Sequence, residues 1–221
     1  MEQESLRVAS LNYCLDQQLA PHLAADAFFP AAAHGGRVES LLQWQPDVVL
    51  ATPFTSALTV RSLQAAGLRV ETVAEPQRLD EVAAVRHQLT QLTGADLPVF
   101  QIEAKVSGVS TPGVVFYLAN QWSFGSDTLW DEVAERMGWR NLAAQQGGGL
   151  VSVSLEQVLA WQPEILVFEQ GDAEVGLAYL ALQHRALRRY IEESDVRVIY
   201  LPRDLSGCMA QRLPEVIDAL Y

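Results

Sequence analysis

Asn120-Gln121-Trp122-Ser123-Phe124 sets two large aromatics among amides and a hydroxyl. Aromatics of that size are costly in a solvent loop unless they pack on something. With amides beside them they suit a flat apolar ligand with polar edges. The competing reading has Trp122 and Phe124 covering the core of their own domain. A second run, Asn12-Tyr13-Cys14, supplies an amide, a thiol, and a phenol able either to ligate a metal or to serve as a hydrogen-bonded wall. Phe54 and Thr55, Glu169, and Arg203 stand at comparable places further on. Arg203 suits a ligand carboxylate or phosphate, or the neighbouring Asp204.

The two cysteines, Cys14 and Cys208, leave three readings open. They are inert buried thiols, or a disulfide joining the two halves of the chain, or ligands for a soft metal. The histidines, His22, His34, His87 and His184, form no His-x-x-x-His or Glu-x-x-His pair, so no zinc site is indicated. No Gly-x-Ser-x-Gly elbow occurs, and no nucleophile has an assignable base. The site chemistry is that of binding rather than turnover.

The positioning elements follow from an internal repeat. Glu39-Ser-Leu-Leu-Gln-Trp-Gln-Pro-Asp-Val-Val-Leu returns as Glu156-Gln-Val-Leu-Ala-Trp-Gln-Pro-Glu-Ile-Leu-Val, an offset of 117 residues. Each copy predicts a helix, a Trp-Gln-Pro stop and a buried parallel strand, because proline lacks an N–H and disfavours helix in the residue before it. The helices should end at Gln45 and Gln162, with strands over Asp47–Ala51 and Glu164–Phe168. Further strands are predicted at Arg7–Leu11, Leu68–Val73, Val114–Ala119 and Arg197–Leu201. Helices are predicted from near Asp16, to Ala66, over Leu79–Thr93, Ser126–Gly138 and Val175–Ile191, and from the last strand to Tyr221. His22 to Gly36 is expected to be a loop with one helical turn at most. Alternating strands and helices imply parallel sheets. The expected architecture is α/β, with two Rossmann-like lobes at 1–94 and 113–221 and a single connecting helix and linker at 95–112. A ligand cleft is expected between the lobes. Ligands of such sheets sit beyond the carboxyl ends of the strands, where the candidate residues fall.

Length, charge and hydropathy bound the rest. The 221 residues carry a formal net charge of −12, which opposes nucleic acid and anionic lipid, since both need clustered Lys and Arg. No apolar run approaches the ~20 residues of a membrane span. The N-terminus, Met-Glu-Gln-Glu-Ser, has no basic or apolar signal region. The chain is therefore read as cytosolic, or as a mature form that has lost its leader.

Three stretches together resemble the substrate-binding proteins of ABC importers for iron complexes, haem and cobalamin, the bilobal kind whose lobes are joined by one helix. They are Arg7-Val-Ala-Ser-Leu-Asn-Tyr-Cys-Leu-Asp-Gln-Gln-Leu, Gly36-Arg-Val-Glu-Ser-Leu-Leu-Gln-Trp-Gln-Pro-Asp-Val-Val-Leu-Ala, and the region from Trp139-Arg-Asn-Leu-Ala-Ala through Val153 to Val167. Arg212-Leu-Pro-Glu also fits the family's last helix. The loop before Glu39 is shorter than the family's, and only about Leu97–Gly108 is available as the joining helix. The resemblance implies a periplasmic, monomeric, non-enzymatic protein with no permanent cofactor. Its cargo would be a metal chelate: a ferric siderophore, haem or cobalamin. Asn12, Tyr13, Cys14, Phe54, Thr55, Asn120, Gln121, Trp122, Ser123, Phe124, Glu169 and Arg203 would line the cleft. Glu39 and Glu156 would dock onto arginines of a permease dimer. The alternatives are a bilobal tetrapyrrole- or metal-handling enzyme and a cytosolic sensor of the same ligands.

Overall fold

The computed structural model describes residues 6–98, 111–170 and 183–221. The chain divides into two compact units. One is built from residues up to Pro76, from Asp80 onward, and from Ala210–Arg212; the other takes Gln77–Leu79, the chain up to Met209, and Leu213–Tyr221. Most of the predicted joining helix, Leu97–Gly108, lies outside the described residues, as does the start of the helix predicted from Val175.

In the first unit the order is β1 (Val8–Ser10), α1 (Tyr13–Leu19), β2 (Phe28–Phe29), α2 (Ala31–His34), α3 (Val38–Trp44), β3 (Val48–Ala51), α4 (Ala57–Ala65), β4 (Val70–Thr72) and α5 (Leu79–Thr93). The sheet order is β2-β1-β3-β4, with every pairing parallel. All residues of β1 and β3 are buried, as continuous apolar strands covered on both faces must be. Val8, Val48 and Leu50 pack with Leu15, Leu19, Val85 and Leu89 on one face. Ala9 and Val49 pack with Leu41 and Leu63 on the other.

Helix α1 starts three residues earlier than predicted from sequence. Asn12 caps it, its side-chain oxygen accepting from the amides of Cys14 (2.9 Å) and Leu15 (3.1 Å). The Ala-rich stretch also departs from expectation, holding the edge strand β2 and the short helix α2. Two contacts organise it. The buried Asp16 carboxylate accepts from the amides of Ala31 and Ala32 at the start of α2. His34, expected in a loop, is fully buried. Its Nδ1 accepts from the Gly36 amide, so its Nε2–H donates to the Ser10 carbonyl at 2.8 Å.

The second unit runs β5 (Gly113–Tyr117), a 3₁₀ turn (Ala119–Gln121), β6 (Trp122–Phe124), α6 (Leu129–Arg136), β7 (Arg140–Asn141), a second 3₁₀ turn (Leu142–Gln146), β8 (Leu150–Ser152), α7 (Leu155–Trp161), β9 (Ile165–Gln170), α8 (Arg185–Glu193), β10 (Arg197–Pro202), α9 (Arg203–Gly207) and α10 (Leu213–Leu220). Its main sheet, β10-β9-β5-β7, is parallel throughout. Val115, Tyr117, Leu166 and Phe168 form its core with Val153, Leu155, Val158 and Leu187. The single terminal helix expected from sequence is two, α9 and α10.

A separate antiparallel pair, β6 with β8, stands where only a loop was expected. The Gly147-Gly148-Gly149 turn makes it possible. Gly125 donates to the Gly149 carbonyl at 2.7 Å and Ser126 to the Gly147 carbonyl at 2.8 Å. A β-carbon at Gly125 would run into the Gly147 carbonyl oxygen, so the approach needs glycine there.

Candidate functional site

The topology fixes where a site should be sought. In a parallel sheet, the crevice forms where chain order reverses, outside the carboxyl ends of the strands. In the second unit β5 is followed by β7 on one side and neighboured by β9 on the other, so the reversal falls between β5 and β9. In the first unit the same reasoning selects β1 and β3.

At the β5–β9 reversal lies an open hollow of about 400 Å³. Leu118, Ala119 and Asn120 from the chain after β5, Trp122 from β6, Leu150 from β8 and Glu169 from β9 line it. Trp122 is 44% exposed and Leu150 59%. The preceding turn is tightly bent: Asn120 and Gln121 both hold positive φ, 55° and 61°. Asparagine tolerates that conformation better than most residues. The turn is closed by the Leu118 amide donating to the Trp122 carbonyl and the Val153 amide to the Gln121 carbonyl, both at 2.8 Å. Trp122 is thereby presented on a short strand anchored at both ends.

Of the residues singled out from sequence, Asn120, Trp122 and Glu169 come together here. Gln121 is exposed beside them, outside the lining, and Arg203 is exposed at the start of α9. Ser123 and Phe124 do not join that lining. Ser123, the middle residue of β6, is fully buried. Phe124 stacks on Trp130 with ring centres 5.3 Å apart and meets Phe116 edge-on at 6.5 Å. It packs over the core of its own unit. Leu118, Ala119 and Leu150 were missed. Leu150, an exposed leucine directly after a triple-glycine turn, was the one visible signal.

In the first unit, Tyr13 and Phe54 are exposed at 55% and 81%, just past β1 and β3. Asn12 spends its side-chain oxygen on the α1 cap. Thr55 spends its hydroxyl on the Thr52 amide, at 3.0 Å. Both set loop shape. Neither cysteine, Cys14 or Cys208, is a free thiol. That overturns the two thiol readings, inert and metal-ligating. Among the described residues no cluster of His, Cys, Asp and Glu could hold a metal ion.

Glu39 and Glu156 occupy matching places. Each is exposed and lies in the first turn of its helix, α3 or α7. The backbone amide of Glu156 and the Ser154 hydroxyl hold its carboxyl below the usual range. Nearby, burial pushes the Tyr117 phenol up to about 12, and the Glu156 charge adds to the effect. This phenol stays protonated at neutral pH.

The fold is shared with known binding proteins. A periplasmic heme-binding protein from Pseudomonas aeruginosa superposes with a TM-score of 0.70 at 19% identity, over 97% of this chain and 92% of its own. A possible iron-binding periplasmic solute-binding protein from Staphylococcus epidermidis gives 0.70 at 17%, over 99% and 100%. The vitamin B12-binding protein BtuF of Vibrio cholerae gives 0.63 at 18%, over 97% and 93%. No family model and no curated protein matches the chain. Among the described residues, no helix is long and apolar enough to cross a membrane.

Proposed function

We propose that the chain is a non-enzymatic substrate-binding protein. It captures a ring-bearing metal complex, of the siderophore, haem or cobalamin kind, and hands it to an ABC importer. The observation that carries the reading is the hollow at the β5–β9 reversal, apolar in most of its lining and walled by the half-exposed Trp122. Apolar walls with a few placed polar groups are how small-ligand sites are built. In the first unit Tyr13 and Phe54 offer exposed aromatic surface at the equivalent strand ends. Solved structures that share the fold include a periplasmic heme-binding protein, a possible iron-binding periplasmic solute-binding protein and a periplasmic vitamin B12-binding protein.

Delivery rests on Glu39 and Glu156. Two exposed carboxylates at equivalent places in two units suit a partner made of two like subunits with basic surfaces. A periplasmic setting is supported by the cysteines, neither of which is a free thiol, since oxidised cysteines persist in oxidising compartments.

The test is a fluorescence titration of the protein with cyanocobalamin, hemin and a panel of ferric siderophores. Saturable quenching by one of them at micromolar concentration or below is expected, with Trp122→Ala weakening that ligand at least tenfold. No saturable response from any member of the panel would overturn the reading.

A further inference from the structure

Helix α3 carries Glu39 in its first turn and has no side-chain cap of its own. Its approach is held from outside, by His34. The His34 carbonyl accepts from the Arg37 amide and from Arg37 Nε, both at 3.1 Å, and its Nδ1 accepts from the Gly36 amide at 3.0 Å. The ring is fully buried, and Nε2–H donates to the Ser10 carbonyl at 2.8 Å. Phe29 lies against this ring, centres 4.9 Å apart, and meets Trp44 at the far end of α3, at 5.1 Å. Both ends of α3 therefore lean on a run of aromatic contacts that starts at His34. Helix α7, which carries Glu156, starts differently: Ser154 and Gln157 form a capping box, and neither of those side chains takes up a proton.

We infer that His34 is a proton-sensitive positioning residue for Glu39: acidification loosens the start of α3 and leaves the start of α7 intact. The inference rests on the docking reading of Glu39 and Glu156 above and adds its regulation. Only the neutral ring can accept at Nδ1. Protonation sets a ring N–H against the Gly36 N–H, and the ring has no second acceptor to replace the lost bond. Histidine is the side chain that ordinarily changes charge between neutral and mildly acid pH. Among the described residues, the groups facing the ring are Ser10 from β1 and Phe29 from β2, both uncharged, and Asp16 from α1, whose carboxylate interacts with the ring's charge. The Arg37 guanidinium, at the head of α3, lies on the His34 carbonyl. Asp16 attracts a charged ring and Arg37 opposes it. Asp16 titrates too, and burial pushes its carboxyl up. It holds the Ala31 and Ala32 amides, so those two report it separately. The outcome is one docking carboxylate held firmly at neutral pH and loosely in acid, and another held firmly at both.

The experiment is amide hydrogen exchange by NMR on the intact protein at about pH 7.5 and about pH 5, each rate divided by that of an unstructured chain at the same pH. Protection at Gly36 and Arg37 is expected to fall at least tenfold in acid, while Gln157 and Val158 at the start of α7 change less than twofold. The His34 ring nitrogens, followed by their own shifts, should pass from the singly to the doubly protonated pattern with the same midpoint. His34→Asn keeps an acceptor near Gly36 that takes up no proton, and should abolish the pH dependence. Equal losses in both helices, or unchanged protection with the ring still singly protonated at the lower pH, would overturn the inference. So would the same acid loss in folded His34→Asn. If that variant does not fold, the wild-type titration decides alone: midpoints that differ between the ring and the Gly36 amide overturn it. None of these readouts uses a permease. Unchanged ligand delivery into importer-bearing cells by Glu39→Gln and Glu156→Gln would instead overturn the docking reading and leave the proton effect on α3 standing.

Discussion

The two copies of the Trp-Gln-Pro segment agree in backbone and differ in what secures them. Helices α3 and α7 each have seven residues, and each is followed by a glutamine in the left-handed region, Gln45 at φ 54° and Gln162 at φ 48°. The proline after each is buried. Asp47 donates its amide to the Arg7 carbonyl and accepts the Arg7 amide on its carboxylate, at 2.8 and 2.7 Å. Glu164 does the same with Gly113, at 2.9 and 2.6 Å. The repeated unit is thus a hydrogen-bonded ring that fixes the entry of one central strand against the next. Its fastenings are not repeated. Helix α7 has a full capping box between Ser154 and Gln157, whereas Arg37 gives α3 no side-chain cap. Trp44 is held by the Arg7 guanidinium, 4.3 Å above its ring, and by Phe29 at 5.1 Å. Both tryptophans also pack against an apolar cluster of their own unit. Only the backbone ring depends on the acid after proline, and both copies keep one there.

The carboxylates offer the sharpest way to break this symmetry. Asp47→Ala strips the acceptor from the Arg7 amide, at a half-buried residue, and is expected to cost about 1 kcal/mol. Glu164→Ala leaves the buried Gly113 amide unpaired and should cost about 2 kcal/mol. Urea denaturation of the two variants checks the order, and equal losses would mean the rings are not loaded differently. The caps come next. Ser154→Ala should lower stability by about 1 kcal/mol, and Arg37→Ser should raise it by up to about the same amount by supplying the missing acceptor. Thermal melts of both variants and of the pair decide this, since additivity is expected for sites in separate units.

The smallest effect is confined to alkaline pH. The folded Tyr117 phenol lies near 12 against an ordinary 10. Between those values the folded chain keeps a proton that the unfolded chain loses, so stability falls as pH rises through that window. Tyr117→Phe should remove this part of the decline. It should leave stability near pH 7 almost unchanged, because the hydroxyl has no hydrogen-bond partner within the described structure. Denaturation midpoints at pH 7, 10 and 11 test it.

How much was legible in the sequence depended on where the determinants lie. Helix α5 and strand β3 fall where periodicity and apolar runs put them, Leu79–Thr93 and Val48–Ala51, because their burial follows from local pattern. The pair β6–β8 was not legible. Three residues make a strand there only because Trp122–Phe124 meets Leu150–Ser152 across a glycine turn distant in sequence. Edge strand β2 was hidden likewise, its two residues defined by pairing with β1. That Asn120, Trp122 and Glu169 would share one hollow was legible because strand ends are. The inward turn of Ser123 and the stacking of Phe124 on Trp130 were not, since both depend on how β6 sits over α6.

The left-handed glutamines carry a historical consequence. A non-glycine residue held at positive φ costs on the order of 1–2 kcal/mol, and Gly67 and Gly94 show that this chain uses glycine freely for the same task. Two unrelated segments would have little reason to accept that strain at the same step, before the same proline, at one constant offset. A chain descended from the doubling and fusion of one ancestral half inherits the oddity in both places without having to invent it twice.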